Sequence, residues 1–392
     1  MTTGPVIYLH IGLPKTGTTF VQQVLARNRE TLRDQGLLYP GPGPDHFLPA
    51  QDVMGHAFRG HYDERAPGTW ARLMTQLQGW QGRSLISHEL LSLAGTEQID
   101  RIMHDLSGAE VRVLVTARDL MRQLPAVWQE DLKNGKTDTL PAFVERVREK
   151  AESGTDRLKG FWAFQDLPAI LARWQKAVPA DRIYIVSVPP QGADRNLLWA
   201  RFAEVLNIEL PTNKVQSKTA NTSLGAAEAE FLRRLNEQVS DGMDWPVYRQ
   251  HVKRFLVRRV LAERRNDRPI ELSPNDVLWA CERSQLMKTS IADRGYNVVG
   301  TLDDLVSPVG SIETVPPAPL PESAVVDVGV GAVGALLRRI SQEQRGATVG
   351  GAPGSQPDQK RTLLSRIRRR AVDSSPTVGG DQRSRSEIRK AT

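Results

Sequence analysis

The chain has 392 residues, 40% of them hydrophobic and 25% charged, an ordinary balance for a globular protein and enough for one large or two modest domains. No apolar run reaches membrane-spanning length and the first residues lack the basic and apolar regions of an export signal, so a cytoplasmic protein is expected. The net charge of +7 hints at nucleic acid, yet 13 Lys/Arg against 8 Asp/Glu fall after residue 306 and 39 against 37 before it, so the basicity belongs mainly to the tail and no nucleic-acid partner is expected.

Val6, Ile7, Tyr8 and Leu9 form a short β-branched and aromatic run that reads as a buried strand. After it comes "HIGLPKTGTTF", from His10 to Phe20, and then Val21, Val24, Leu25 and Leu32 at roughly helical spacing. Strand, glycine loop and helix together aim backbone N–H groups and a positive dipole end at whatever the loop holds, which should be an anion. The ordinary ATP loop needs its lysine directly after the final glycine; here Lys15 precedes Gly17, and Gly12, Thr18 and Thr19 miss that spacing. A strand-to-helix turn that merely favours Gly, Pro and Thr is the bland alternative. Against it, Pro14, Lys15, Gly17, Thr18 and Thr19 supply a fixed turn, a cation, a close-approach glycine and two hydroxyls within six residues, which favours an anion loop.

Residues 39–60 read as a loop-rich surface segment with His46 and His56. Further strands are expected within "RSLISHELL" (83–91), "VRVLVTAR" (111–118) and "RIYIVSVPP" (182–190), separated by helical stretches. That alternation predicts an α/β fold with a parallel sheet flanked by helices, Lys15, Glu89, Arg118 and Pro189 gathering at the C-terminal edge of the strands. Neighbouring residues of a strand face opposite ways, so His88 and Glu89 are expected on opposite faces. Arg118 should lie in a loop, with a helix beginning near Gln123 so that Pro125 falls in its first turn. From Asn196 the pattern is mostly helical, "KTANTSLG" (218–225) offering Lys218, Asn221 and a helix-capping Ser223. Cys281 is the sole cysteine, which excludes an internal disulfide. Residues 307–392, rich in Pro, Gly and Ser, read as a disordered basic tail dispensable for chemistry, after a domain spanning 1–306. Two islands interrupt the tail: Ala332 to Ile340, which reads as a short apolar helix ending in Arg338 and Arg339, and Leu363 to Arg370, which reads as a basic amphipathic turn or two. A solvated tail outweighs a membrane-surface contact there.

The loop's Pro-Lys-Thr-Gly-Thr-Thr, "SHELL" at 87–91 and "TARDLMRQLPAVWQE" at 116–130 resemble the sulfotransferases, P-loop-like enzymes whose donor is 3′-phosphoadenosine 5′-phosphosulfate. The resemblance covers most of residues 5–306. It implies that Gly12, Pro14, Lys15, Thr16, Gly17, Thr18 and Thr19 bind the donor's 5′-phosphosulfate and that Arg118 binds its 3′-phosphate. From the residues alone, Arg118 is as well read as a surface partner of Asp119. The family places a serine eight residues after that arginine; here Ala126 stands there, and Arg122 or Gln129 is expected to compensate. The resemblance further implies that Lys15 neutralises the leaving phosphate and that Glu89 takes a proton from a hydroxylated small-molecule or carbohydrate acceptor. His88 is the alternative base, and a helix-capping role for Glu89 also stands open. No metal is implied, and no cluster with metal-ligand spacing is seen. The competing readings are a small-molecule kinase or other P-loop nucleotide enzyme, and a domain that binds a nucleotide without turnover.

Overall fold

In the computed structural model, which describes residues 4–55, 62–154, 160–194, 196–215, 223–239, 242–264, 268–307 and 317–349, six parallel strands form one sheet. They are β1 (Val6–His10), β2 (Leu37–Leu38), β3 (Arg83–Ser87), β4 (Glu110–Ala117), β5 (Ile183–Ser187) and β6 (Asn297–Val299), in the order β2-β3-β1-β4-β5-β6. Leu9 lies opposite Ile86 on β3 and Val113 on β4, so β1 sits centrally. Both faces are covered, and adjacent residues therefore enter different cores. Leu9, Ile86, Val113 and Ile185 pack on one face with Trp174 and Ile102; Tyr8, Leu85, Leu114 and Val186 pack on the other with Val24, Leu25 and Phe202.

Four helices frame the glycine loop and the C-terminal region. α1 (Thr18–Arg27) follows the glycine loop, and α2 (Leu120–Leu132) follows β4. α3 (Ala226–Val239) and α4 (Glu322–Val349) join a third, all-helical core with Leu124, Trp128, Leu132, Leu232 and Val328. α2 begins three residues before the expected Gln123, because the buried Asp119 carboxylate accepts from the Arg122 amide at 2.9 Å and caps it. Pro125 thus falls in the second turn, where it removes one backbone hydrogen bond. β2 and β6 were not expected. Phe47–Met54 is a helix inside what reads as a loop segment, and His56 lies outside the described residues.

The expectation of a disordered tail from 307 is corrected over α4. Its Val325, Val328 and Ala332 are buried within the compact unit Met1–Leu336, and Arg234 of α3 donates to Glu322 at 2.9 Å. Apolar residues at helical spacing outweigh the proline-rich flanks there. The second unit, Leu337–Thr392, contains the end of that helix, where Arg339 pairs with Glu343 at 2.8 Å; the Leu363–Arg370 island lies outside the described residues. A buried valine is worth about 1.5–3 kcal/mol over an exposed one. Truncation before Glu322 should therefore lower the melting temperature by several degrees; an unchanged melting curve would show the helix to be dispensable. Among the described residues no helix is long and apolar enough to cross a membrane.

Candidate functional site

The glycine loop closes over the C-terminal end of β1. Gly12 and Gly17 take φ values of 53° and 85°, and Lys15 takes 69°, a left-handed conformation uncommon outside glycine. A Cβ at Gly12 would stand 2.8 Å from Thr18 Cγ2 and 3.1 Å from Glu89 Cγ, and one at Gly17 would strike Leu198. Glycine is therefore required at both positions, by the positive φ and by close packing against Thr18, Glu89 and Leu198. Gly17 ends the loop without a side-chain cap on α1, so the first-turn amides remain available to an anion.

Buried groups hold the loop from beneath. Thr16 is fully buried, its hydroxyl 2.6 Å from both Leu13 O and Thr116 Oγ1. That places the Thr16 side chain under the loop and away from any ligand, a departure from its expected binding role. His10 Nδ1 lies 2.7 Å from Ser87 Oγ, and burial pushes the imidazole down to about 4, so it stays neutral. Pro14 O accepts from Gln123 at 2.9 Å and from Gln165 at 3.2 Å. Thr19 is exposed at the loop's outer rim.

On one side the chain leaves β3 at Ser87 and turns at once into a 3₁₀ helix, Glu89–Leu93, which overturns the expected opposition of His88 and Glu89. His88 Nε2 lies 3.6 Å from Glu89 Oε2, while its Nδ1 accepts from the Leu90 amide at 3.0 Å. His88 thus performs the capping considered for Glu89. The Glu89 carboxylate instead accepts from the Thr18 hydroxyl. Burial favours its neutral form, but His88 and Thr18 outweigh that and hold the carboxyl below its ordinary range. It is therefore charged at neutral pH.

On the other side Arg118 follows β4, and its Nη1 donates to Lys15 O at 3.3 Å. It forms no pair with Asp119, whose carboxylate is taken by the Arg122 side chain and by Ser307 Oγ at 3.1 Å. Arg118 Nε is buried with no hydrogen-bond partner, and burial, reinforced by Arg122 and opposed by Asp119, pushes the guanidinium down to about 10. An unpaired cation at the edge of an anion loop is short of an anion.

The two side chains expected to stand in for the missing serine are committed elsewhere. Arg122 also donates to Pro189 O at 2.8 Å, and the buried Gln129 accepts from the Leu224 amide at 2.9 Å. α3 starts at Ala226 with Gly225 O accepting from Ala229, so Ser223 is not its cap; Lys218 and Asn221 lie outside the described residues. His46 is buried, its ring nitrogens facing Pro40 O at 2.9 Å and the Ser87 amide at 3.0 Å, and serves structure.

The sequence reading missed Glu130. Its carboxylate accepts from Lys15 Nζ at 2.7 Å and from Lys253 Nζ at 3.0 Å. Arg122, Ala126 and Glu130 recur at four-residue spacing, which puts Glu130 on the helix face that Arg122 and Ala126 share. That periodicity was the available signal; the partner 123 positions away was not.

No family model matches this chain, and no curated protein matches it. Among solved structures, the crystal structure of a sulfotransferase from Alicyclobacillus acidocaldarius aligns with 62% of this chain and 98% of that one, at 12% identity and a TM-score of 0.36. Similarity at that level carries no conclusion about chemistry.

Proposed function

We propose that the chain is a sulfotransferase that moves a sulfuryl group from 3′-phosphoadenosine 5′-phosphosulfate to a hydroxyl. The observation that carries this reading is the placing of three groups around one glycine loop: the Lys15 ammonium, the Arg118 guanidinium, which has no carboxylate partner and a bare Nε, and the ionised Glu89 carboxylate. Two anion positions and a base suit a donor with phosphates at both ends and an acceptor that must lose a proton. The residues fit such a donor, since the first-turn amides of α1 carry no side-chain cap and Arg118 Nε lacks a partner.

When bound, the donor supplies a sulfuryl group joined through oxygen to its 5′-phosphate. The loop amides and Lys15 bind that phosphate, and Arg118 binds the second one. Glu89 orients the acceptor hydroxyl and accepts its proton as the oxygen bonds to sulfur. The old sulfur–oxygen bond breaks, its electron pair stays on the departing phosphate oxygen, and Lys15 neutralises that charge. Such in-line transfer is achieved by positioning and charge stabilisation. Thr18 must release Glu89 or share it, because its hydroxyl occupies the carboxylate beforehand.

Adenosine 3′,5′-bisphosphate without Mg²⁺ should raise the melting temperature, since a ligand that binds only the native state stabilises it by mass action. ATP with Mg²⁺ should do so less, and Arg118→Ala should abolish the preference for the 3′-phosphorylated form over its 3′-hydroxyl analogue. Equal stabilisation by ATP with Mg²⁺ would favour the kinase reading.

A further inference from the structure

Two lysines share one carboxylate near the C-terminal end of α2, and two further cations stand close by. Glu130 is shared by Lys15 and Lys253, and Lys253 also donates to Asn134 Oδ1 at 2.7 Å. Lys133, one residue past the end of α2 and three after Glu130, is half-buried, and the exposed Arg258 is close enough for its charge to act on the Lys133 amine. Among the described residues neither Lys133 nor Arg258 has a carboxylate partner of its own. Four cations against one carboxylate leave the group with a net charge of +3, a field that attracts anions. Burial, together with Lys15, Lys253 and Arg258 and against Glu130, pushes the Lys133 amine down to about 8.

A second observation points the same way. Lys253 and Arg258 lie on Arg249–Val260, a π-helix. In an α-helix, residues five apart point about 140° away from each other. In a π-helix they are hydrogen-bonded neighbours one turn apart, so the rare winding puts both cations on one side.

The cluster is separate from the second phosphate position. Arg118 precedes α2 and Lys133 follows it, a separation of roughly 20 Å along the axis at 1.5 Å per residue. Lys15 bridges the two ends, with its carbonyl at Arg118 and its ammonium at Glu130. A group held by Lys133 thus lies toward the ammonium end of Lys15, and Arg118 toward its carbonyl end.

We propose that Lys133, Lys253 and Arg258 recognise an anionic group, a carboxylate or a sulfate ester, carried by the acceptor, an inference that rests on the sulfuryl-transfer reading. The acceptor is then an acidic hydroxylated molecule. The test uses the full chain and calorimetric titration with three disaccharides of one linkage, bearing a uronic acid, an O-sulfate or neither, each with and without adenosine 3′,5′-bisphosphate. At least one acidic disaccharide should bind tenfold or more tightly than the neutral one, as expected for a charged hydrogen bond, and the stronger of the two tells carboxylate from sulfate. Lys133→Gln and the surface change Arg258→Ala should each remove most of that preference while changing bisphosphate affinity by less than about threefold. Equal affinity for acidic and neutral disaccharides, with the bisphosphate still bound, overturns this inference alone. Failure of the bisphosphate to bind overturns the functional reading and this inference with it.

Discussion

Glu89→Gln should lower sulfuryl transfer by about 10²–10⁴-fold while leaving adenosine 3′,5′-bisphosphate affinity nearly unchanged. Glutamine keeps the shape and can still accept from Thr18, so the loop geometry survives and only basicity is lost. His88 is not an indifferent neighbour, as a continuing strand would have made it. Its ring lies 3.6 Å from the Glu89 carboxylate, is the foremost influence holding that carboxyl down against burial, and caps the 3₁₀ turn through Leu90. Removing it should let the Glu89 carboxyl rise. Because a carboxylate with a depressed pKa stays charged to lower pH, His88→Ala should move the acid limb of the rate profile to higher pH without abolishing turnover at neutral pH. Loss of turnover in His88→Ala with retention in Glu89→Gln would reverse the two roles.

The strands that carry this site were legible because each is a β-branched or aliphatic run covered on both faces, and their ends fell within a few residues of those seen. β6 was not: it has three residues, and its Val298 is exposed, so it joins the sheet through backbone pairing with β5 that no side-chain pattern announces. Of the helix at 322–349 only Ala332 to Ile340 was legible; its buried start was obscured by composition, since Val325 and Val328 stand among prolines and glycines that dominate any local average. At the site, the residues of the glycine loop could be found from adjacency alone. Partners at long sequence separation could not: Arg118 reaches Lys15 across 103 positions and Lys253 reaches Glu130 across 123. The turn at His88 shows the cost of extending a strand one residue too far, because a single step changed the pair from opposed to adjacent.

Lys15→Ala should weaken bisphosphate binding by tenfold or more and lower turnover by about 10²–10³-fold, the cost of removing one group that stabilises developing charge. Glu130 makes the companion variant informative. Its carboxylate holds the Lys15 ammonium at 2.7 Å, so an incoming phosphate must compete for that cation. Glu130→Gln removes the competitor and leaves the surrounding cations one charge more positive, so bisphosphate should bind more tightly. Weaker binding would mean instead that Glu130 holds Lys15 in its working position. The same variant has a signature in acid. Burial raises the Glu130 carboxyl, but Lys15 and Lys253 outweigh it and hold it far below the usual carboxylate range. A depressed carboxylate contributes stability that is fully present above its unfolded value of about 4.3 and is lost as pH falls below it. The wild-type protein should therefore lose stability between neutral pH and pH 3 more steeply than Glu130→Gln, by thermal unfolding across that range. Parallel curves would show that Glu130 titrates normally and that the two lysines do not share it in solution.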